Sequence, residues 1–292
     1  MSFWYRAIFI SPQATISIYT TNEHFYFLPI MTCQLPTPVS LPSPDIAPLD
    51  SRPVKRKRAE SPGMPAFPIT PPAMPEDPDA AAMLARAVHV LSVEAAALSH
   101  VSRLYTTDPT ARASLLRAVE AVVEATRTRS KLVVCGVGKS GYVGQKIVAT
   151  MKSLGVRASF LHAAEAAHGD LGDVDETDCV LFVSFSGTTA ELRNLSSHLP
   201  RSTTVLALTA HPSADKCPLL ACHDGPTILL PAPIHESEES TFGVCAPTTS
   251  TTVALAVGDM LALTVSQELH GARASAVFKK NHPGGAIGAR AR

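Results

Sequence analysis

Leu132-Val133-Val134-Cys135-Gly136-Val137-Gly138-Lys139-Ser140-Gly141 is the stretch from which the fold is read. Four apolar residues in a row run into a glycine turn, after which Val143, Ile147, Val148 and Met151 recur at helical spacing up to Lys152. That order predicts a strand, a glycine turn and a helix. A helix opening of this kind carries unpaired N–H groups, and glycines let an anion approach them, so phosphate is the natural guest. Gly136-x-Gly138-x-x-Gly141 also fits the dinucleotide fingerprint, but Phe160-Leu161-His162 stands where the next strand should end in an acid. Nor is it a P-loop, because Val133 occupies the place of that motif's first glycine.

Outward from this unit, apolar runs at 158–161, 179–184, 203–209 and 227–230 predict further strands, and 188–198 predicts a helix. Strands alternating with helices imply an α/β fold, a doubly wound parallel sheet flanked by helices, with ligands at the carboxyl ends of the strands. Upstream, 79–105 and the stretch from Asp108-Pro109 read as amphipathic helices, the first capped by Asp77-Pro78-Asp79. A long, small-residue-rich helix at 246–269 closes the domain. From Thr32 to about Asp77 prolines dominate and periodicity vanishes, which predicts a disordered arm over 1–78 and a folded domain over 79–292. Within the arm, Pro53-Val54-Lys55-Arg56-Lys57-Arg58 resembles a nuclear import signal, with Ser61-Pro62 nearby as a phosphosite, although a solvated charge cluster would look the same. The aromatic-rich first 30 residues have no compact apolar run with a cleavage site, so they are not read as a signal peptide. They are either an extension or lie upstream of a true start at Met31.

With 292 residues, 46% of them hydrophobic and 5% aromatic, the chain can bury a sizeable core of closely packed helices. A formal net charge of zero gives no general pull toward nucleic acid or a membrane surface, and neither is expected as a partner. No segment has an uninterrupted apolar run of about 20 residues, so no membrane span is expected. The six cysteines form no C-x-x-C pair, and Cys135 and Cys179 fall inside strand runs. These are the reduced thiols of an intracellular protein, cytoplasmic, or nuclear if Lys55, Arg56, Lys57 and Arg58 act as an import signal.

Ser184-Phe185-Ser186-Gly187-Thr188-Thr189 repeats the strand-to-helix geometry of the first loop, now with four hydroxyls. An ordinary N-cap needs one hydroxyl; several, together with helix amides, suit a phosphate monoester. With this loop the motifs form an ordered series. Gly136 to Gly141, Ala167-His168-Gly169-Asp170-Leu171-Gly172, Ser184 to Glu191, Ala246-Pro247-Thr248-Thr249-Ser250-Thr251-Thr252 and His282-Pro283-Gly284-Gly285-Ala286 follow the order found in sugar isomerase (SIS) domains. Over roughly 80–288 the chain resembles that family, and within it the arabinose-5-phosphate isomerases.

The resemblance implies an aldose–ketose isomerase that acts on a pentose 5-phosphate through an enediol, with neither cofactor nor obligatory metal. The positions matching the family's catalytic residues are Lys139, Glu191, Glu239 and His282. Proton transfer between adjacent carbons needs a carboxylate base, a donor for the oxygens and a cation for the enediolate, and these residue types supply them. Ser140, Ser184, Ser186, Thr188 and Thr189, the hydroxyls of the two loops, are the candidate phosphate-binding residues. His162 and His168 match histidines close to the sugar, and the pair leaves room for an inhibitory zinc. A homodimer or homotetramer is implied, with His282 serving a neighbour's site. Each residue also has a plainer reading: Glu191 as a first-turn helix acid, Glu239 as one of the acidic run 236–239, and Lys139 as a solvated loop charge.

Departures from the family pattern are local. Thr188 stands where the bacterial enzymes usually have Glu, Phe185 where they have Asn or a similar polar residue, and Thr241-Phe242-Gly243-Val244-Cys245 replaces Cys-Pro-x-x-Leu. Phosphate binding is expected to survive; sugar preference is what these changes put at stake. Many relatives continue into paired regulatory CBS domains, whereas this chain stops at Arg292, so control through such domains is not expected. A non-catalytic sugar-phosphate regulator is the main alternative, and retention of all four candidate catalytic residues argues for the enzyme. An etherase or aminosugar isomerase is less favoured, because the His-Pro-Gly-Gly ending is that of the pentose subfamily.

Overall fold

The computed structural model describes residues 77–284; the arm, its basic run and Gly285 onward lie outside the described residues. Two helices lead in. α1 (Pro78–Thr107) starts on the Asp77 side chain, which accepts from Asp79 N, and α2 (Pro109–Arg127) starts on Asp108, which accepts from Ala111 N. In both, proline occupies the first helical position, where its missing N–H costs nothing. There follow β1 (Leu132–Gly136), α3 (Lys139–Ser153), β2 (Ala158–Leu161), α4 (Ala163–Ala166), β3 (Cys179–Val183), α5 (Ala190–His198), β4 (Thr204–Thr209) and β5 (Thr227–Pro231). The short α6 (Glu238–Phe242), the long α7 (Thr249–His270) and α8 (Ala274–Lys280) complete the described chain.

The five strands are all parallel in the order β2-β1-β3-β4-β5. β1, β3, β4 and β5 are buried nearly throughout because helices cover both faces, which is why these strands read as continuous apolar runs. One face, through Leu132, Val134, Leu181 and Leu206, packs on α1, α2, α3 and α7. The other, through Val133, Cys135, Val180 and Phe182, packs on α4 and α5. Because the chain runs from β1 outward to β2 and then back across to β3, the crossovers from β1 and β3 leave in opposite directions. A ligand crevice is expected there, beyond the strands' carboxyl ends.

Two helix starts fall later than the pattern predicts. α5 begins at Ala190 rather than Thr188, because the hydroxyls of 184–189 bond one another and their own backbone instead of a helical turn. α7 begins at Thr249 rather than Ala246, since Pro247 disfavours helical backbone in the residue before it. The short helices α4, α6 and α8 carry too few periodic residues to be legible in advance. One expectation is corrected. α1 and the stretch Thr249–Lys280 are each long and apolar enough, by length and composition alone, to cross a membrane. Alanine and valine keep mean hydropathy high although single charges interrupt the runs. In Thr249–Lys280, 56% of that apolar window is buried inside the domain.

At the amino end of the sheet, the fully buried Asp178 carboxylate accepts from Lys131 N at 2.8 Å, Lys131 Nζ at 2.9 Å and Asp175 N at 3.0 Å. Burial works against the Lys131 charge, but the bond to Asp178 and the charges of Asp178, Asp173 and Asp175 hold its pKa above the ordinary value. At the other end, Tyr105 Oη donates to the Pro231 carbonyl at 3.0 Å, tying α1 to the end of β5.

Candidate functional site

A cleft of about 680 Å³ opens at the carboxyl ends of β1, β3, β4 and β5, on the side of α3 and α7. Val137, Lys139 and Ser140 line it after β1, Val183 and Phe185 at the end of β3, and Leu208 and Thr209 at the end of β4. Its acidic wall comes from the segment Ile234 to Glu239, which follows β5, and Cys245, Pro247, Ser250 and Thr251 close the remaining side.

The first glycine loop delivers its lysine into this cleft. Gly138 takes φ 58° and ψ −128°, a backbone closed to side chains with a Cβ, and from it α3 starts with Lys139 and Ser140. No side chain caps α3, so the first-turn amides at Lys139 and Ser140, both cleft-lining residues, have no partner inside the helix.

The second loop is more self-contained. Ser184 is buried, its Oγ lies 3.0 Å from Thr189 Oγ1, and it accepts from Gly187 N at 3.2 Å. Ser186 Oγ lies 2.8 Å from Thr188 Oγ1 and accepts from Thr188 N at 3.3 Å, while His211 Nε2 donates to the Ser186 carbonyl at 2.8 Å. Gly187 turns the chain at φ 60°. Of this loop only Phe185, 44% exposed, is among the residues lining the cleft.

Lys139, Ser140 and Glu239 are therefore brought together, and the other candidates stand apart. Glu191 is exposed in the first turn of α5, which packs on the opposite face of the sheet. His162 caps α4, its Nδ1 accepting from Ala164 N at 3.3 Å, and His168 is exposed beyond the edge strand β2. Among the described residues no three His, Cys, Asp or Glu side chains are grouped to hold a metal. His282 Nδ1 donates to the Phe278 carbonyl at 2.7 Å, and its ring stacks on Phe278 at 4.1 Å. Its neighbour Asn281 donates to the carbonyls of Lys152 and Ser153, at the end of α3 remote from Lys139. A 15-residue helix is about 22 Å long, so His282 lies across the domain from the cleft of its own chain.

Sequence reasoning did not separate the acids of 236–239. Glu238 Oε1 accepts from Thr248 N at 2.7 Å, Ser250 N at 2.9 Å and Ser250 Oγ at 2.8 Å, which commits it to the start of α7. Glu239 instead lies beside Cys245, whose thiol pKa is raised by a hydrogen bond to Glu239 and by that carboxylate's charge. No spacing rule links Glu238 to a helix start ten residues on, so this contact had no signal in the sequence.

The family model for the SIS domain matches residues 127–264. The arabinose 5-phosphate isomerase GutQ of Escherichia coli K12 is 41% identical over 163 residues, 55% of this chain and 47% of GutQ. The arabinose 5-phosphate isomerase KdsD of Francisella tularensis is 34% identical over 173 residues, 59% of this chain and 50% of KdsD. The chain thus spans about half the length of these curated relatives. Among solved structures, the c3406 protein of E. coli CFT073, in complex with arabinose 5-phosphate, is 30% identical with a TM-score of 0.56, covering 69% of this chain and 98% of that one. With its loops, sheet order and cleft in place, the chain belongs to the SIS domain family.

Proposed function

We propose that the chain is an aldose–ketose isomerase of the arabinose-5-phosphate isomerase type, interconverting D-ribulose 5-phosphate and D-arabinose 5-phosphate. The observation that carries this reading is Lys139 and Glu239 facing one cleft at the carboxyl ends of the strands. A C1 proton of the ketose passes to Glu239 and the electron pair runs onto the C2 oxygen, giving an enediolate that the Lys139 charge favours. Return of the proton to C2, with the O1 proton passing to O2, yields the aldose. The uncapped start of α3 at Lys139 and Ser140 holds the phosphate, and the hydroxyl loop after β3 joins it once Ser186 and Thr188 exchange their mutual bond for the ligand.

The working unit in this proposal is a homodimer or homotetramer in which His282 serves a neighbour's cleft. Its place across the domain from Lys139 supports that arrangement. So does α1, which leaves Met83, Leu84, Val88 and Leu91 at least half exposed.

The test is conversion of pentose and hexose phosphates by purified protein in deuterated water, followed by NMR. D-ribulose 5-phosphate should be converted, with solvent deuterium appearing on the carbon beside the carbonyl, and Glu239→Gln should lower turnover by about two to four orders of magnitude. Tight binding of a pentose phosphate with neither conversion nor deuterium uptake for any sugar would replace the isomerase with a sugar-phosphate regulator.

A further inference from the structure

We propose that Glu238 is a positioning residue, a clamp that fixes Glu239 in the cleft; this rests on the isomerase reading above. α6 is five residues long and has no buried residue, so the core does not hold it in place. It ends at Gly243 in the left-handed region, and residues 243–247 are exposed. Phe242 meets His89 of α1 edge-on, with 6.2 Å between ring centroids, and the hydrogen bonds that join this segment to the start of α7 are the three that the Glu238 carboxylate makes with Thr248 and Ser250. Thr248, the N-cap of α7, makes no side-chain cap of its own. Glu238 takes over that duty from ten residues upstream, where a carboxylate at a helix N-terminus is favoured.

Glu239 and Cys245 both lie between the two ends of the clamp, and both line the cleft. A base must be held within about 1 Å of its working position, and a displacement of that size can lower a rate about 100-fold. Glu238 thus acts through Glu239 rather than on the substrate.

The experiment compares Glu238→Ala, Glu238→Gln and Glu239→Gln with D-ribulose 5-phosphate as substrate. Glu238→Ala should lower kcat about 10- to 100-fold with KM changed by less than about threefold, and the pH profile of kcat should keep its shape because Glu239 remains. Glu238→Gln should recover most of the rate, since its amide oxygen still accepts from Thr248 and Ser250. Wild-type kcat in Glu238→Ala, or a loss matched by the loss of folded protein, would overturn the proposal. So would a Glu238→Gln as inactive as Glu239→Gln, which would make Glu238 a reacting group.

A second arm does not depend on activity. Alkylation of Cys245 by iodoacetamide, followed by peptide mass spectrometry, should be several-fold faster in Glu238→Ala than in Glu238→Gln, because both variants remove the same charge and only glutamine keeps an acceptor for Thr248 and Ser250. Equal alkylation rates in the two variants would overturn the clamp even if the wild type isomerised nothing, and that inactivity would count against the isomerase reading alone.

Discussion

At the amino end of the sheet Asp178 is saturated by Lys131 and Asp175, whereas at the carboxyl end Lys139 and Glu239 face a cleft and form no ion pair among the described residues. Both ends bring a lysine and an acid to the tips of β1 and its surroundings. Where every donor and acceptor is matched, charge holds strands in register; where charge is left open, it is available to a substrate. The two ends should therefore fail in different ways when they are altered.

The largest effect expected is on activity. Lys139→Ala should lower turnover about a thousandfold, the scale for removing a group that stabilises a developing oxyanion, while the denaturation midpoint stays near wild type. Asp178→Ala should do the reverse, lowering stability by about 3 kcal/mol in urea titration while the folded fraction keeps its turnover. That figure is at the low end for breaking a buried pair because Lys131 Nζ still donates to the Asp173 carbonyl. Comparable losses of turnover in the two variants would break the contrast.

Ser186→Ala sharpens it within the carboxyl end. The Ser186 hydroxyl is already engaged with Thr188, so it shapes the loop as well as offering a donor. Calorimetry with D-arabinose 5-phosphate should show binding weakened by about 1 to 3 kcal/mol. Unphosphorylated arabinose should bind poorly to both proteins.

The smallest effect concerns the strands between the two ends. Burial pushes the Cys135 thiol up to about 12 from an ordinary 9.0, and burial followed by the Asp178 charge does the same for Cys179. Raised folded-state values mean that the stabilisation is whole below about pH 9 and is lost as pH climbs toward 12, because the unfolded chain releases protons that the fold retains. Each thiol should contribute a slope on the order of 1 kcal/mol per pH unit in that window. Urea titrations at about pH 8 and about pH 10.5, on either side of the unfolded thiol's pKa, should show it, and Cys135→Ala should flatten it.

The sheet was legible because buried parallel strands are continuous apolar runs of the kind seen at 132–136 and 179–183. The first loop was legible because its glycines stand where the backbone must turn, as Gly138 shows. What could not be read was any contact between residues far apart in the chain. Asp178 reaches Lys131 across 47 residues, and Glu238 reaches Ser250 across 12, with no local pattern to mark either. The spread of the hydroxyls in 184–189 likewise gave no sign that they would bond to one another first.

The distance from Lys139 to His282 has a genetic consequence on the proposed arrangement. A chain that lacks the lysine and a chain that lacks the histidine are each inactive alone, yet together they rebuild one intact site in every mixed dimer. Two loss-of-function alleles of this kind would complement each other, and inheritance would report the shared site before any assembly is isolated.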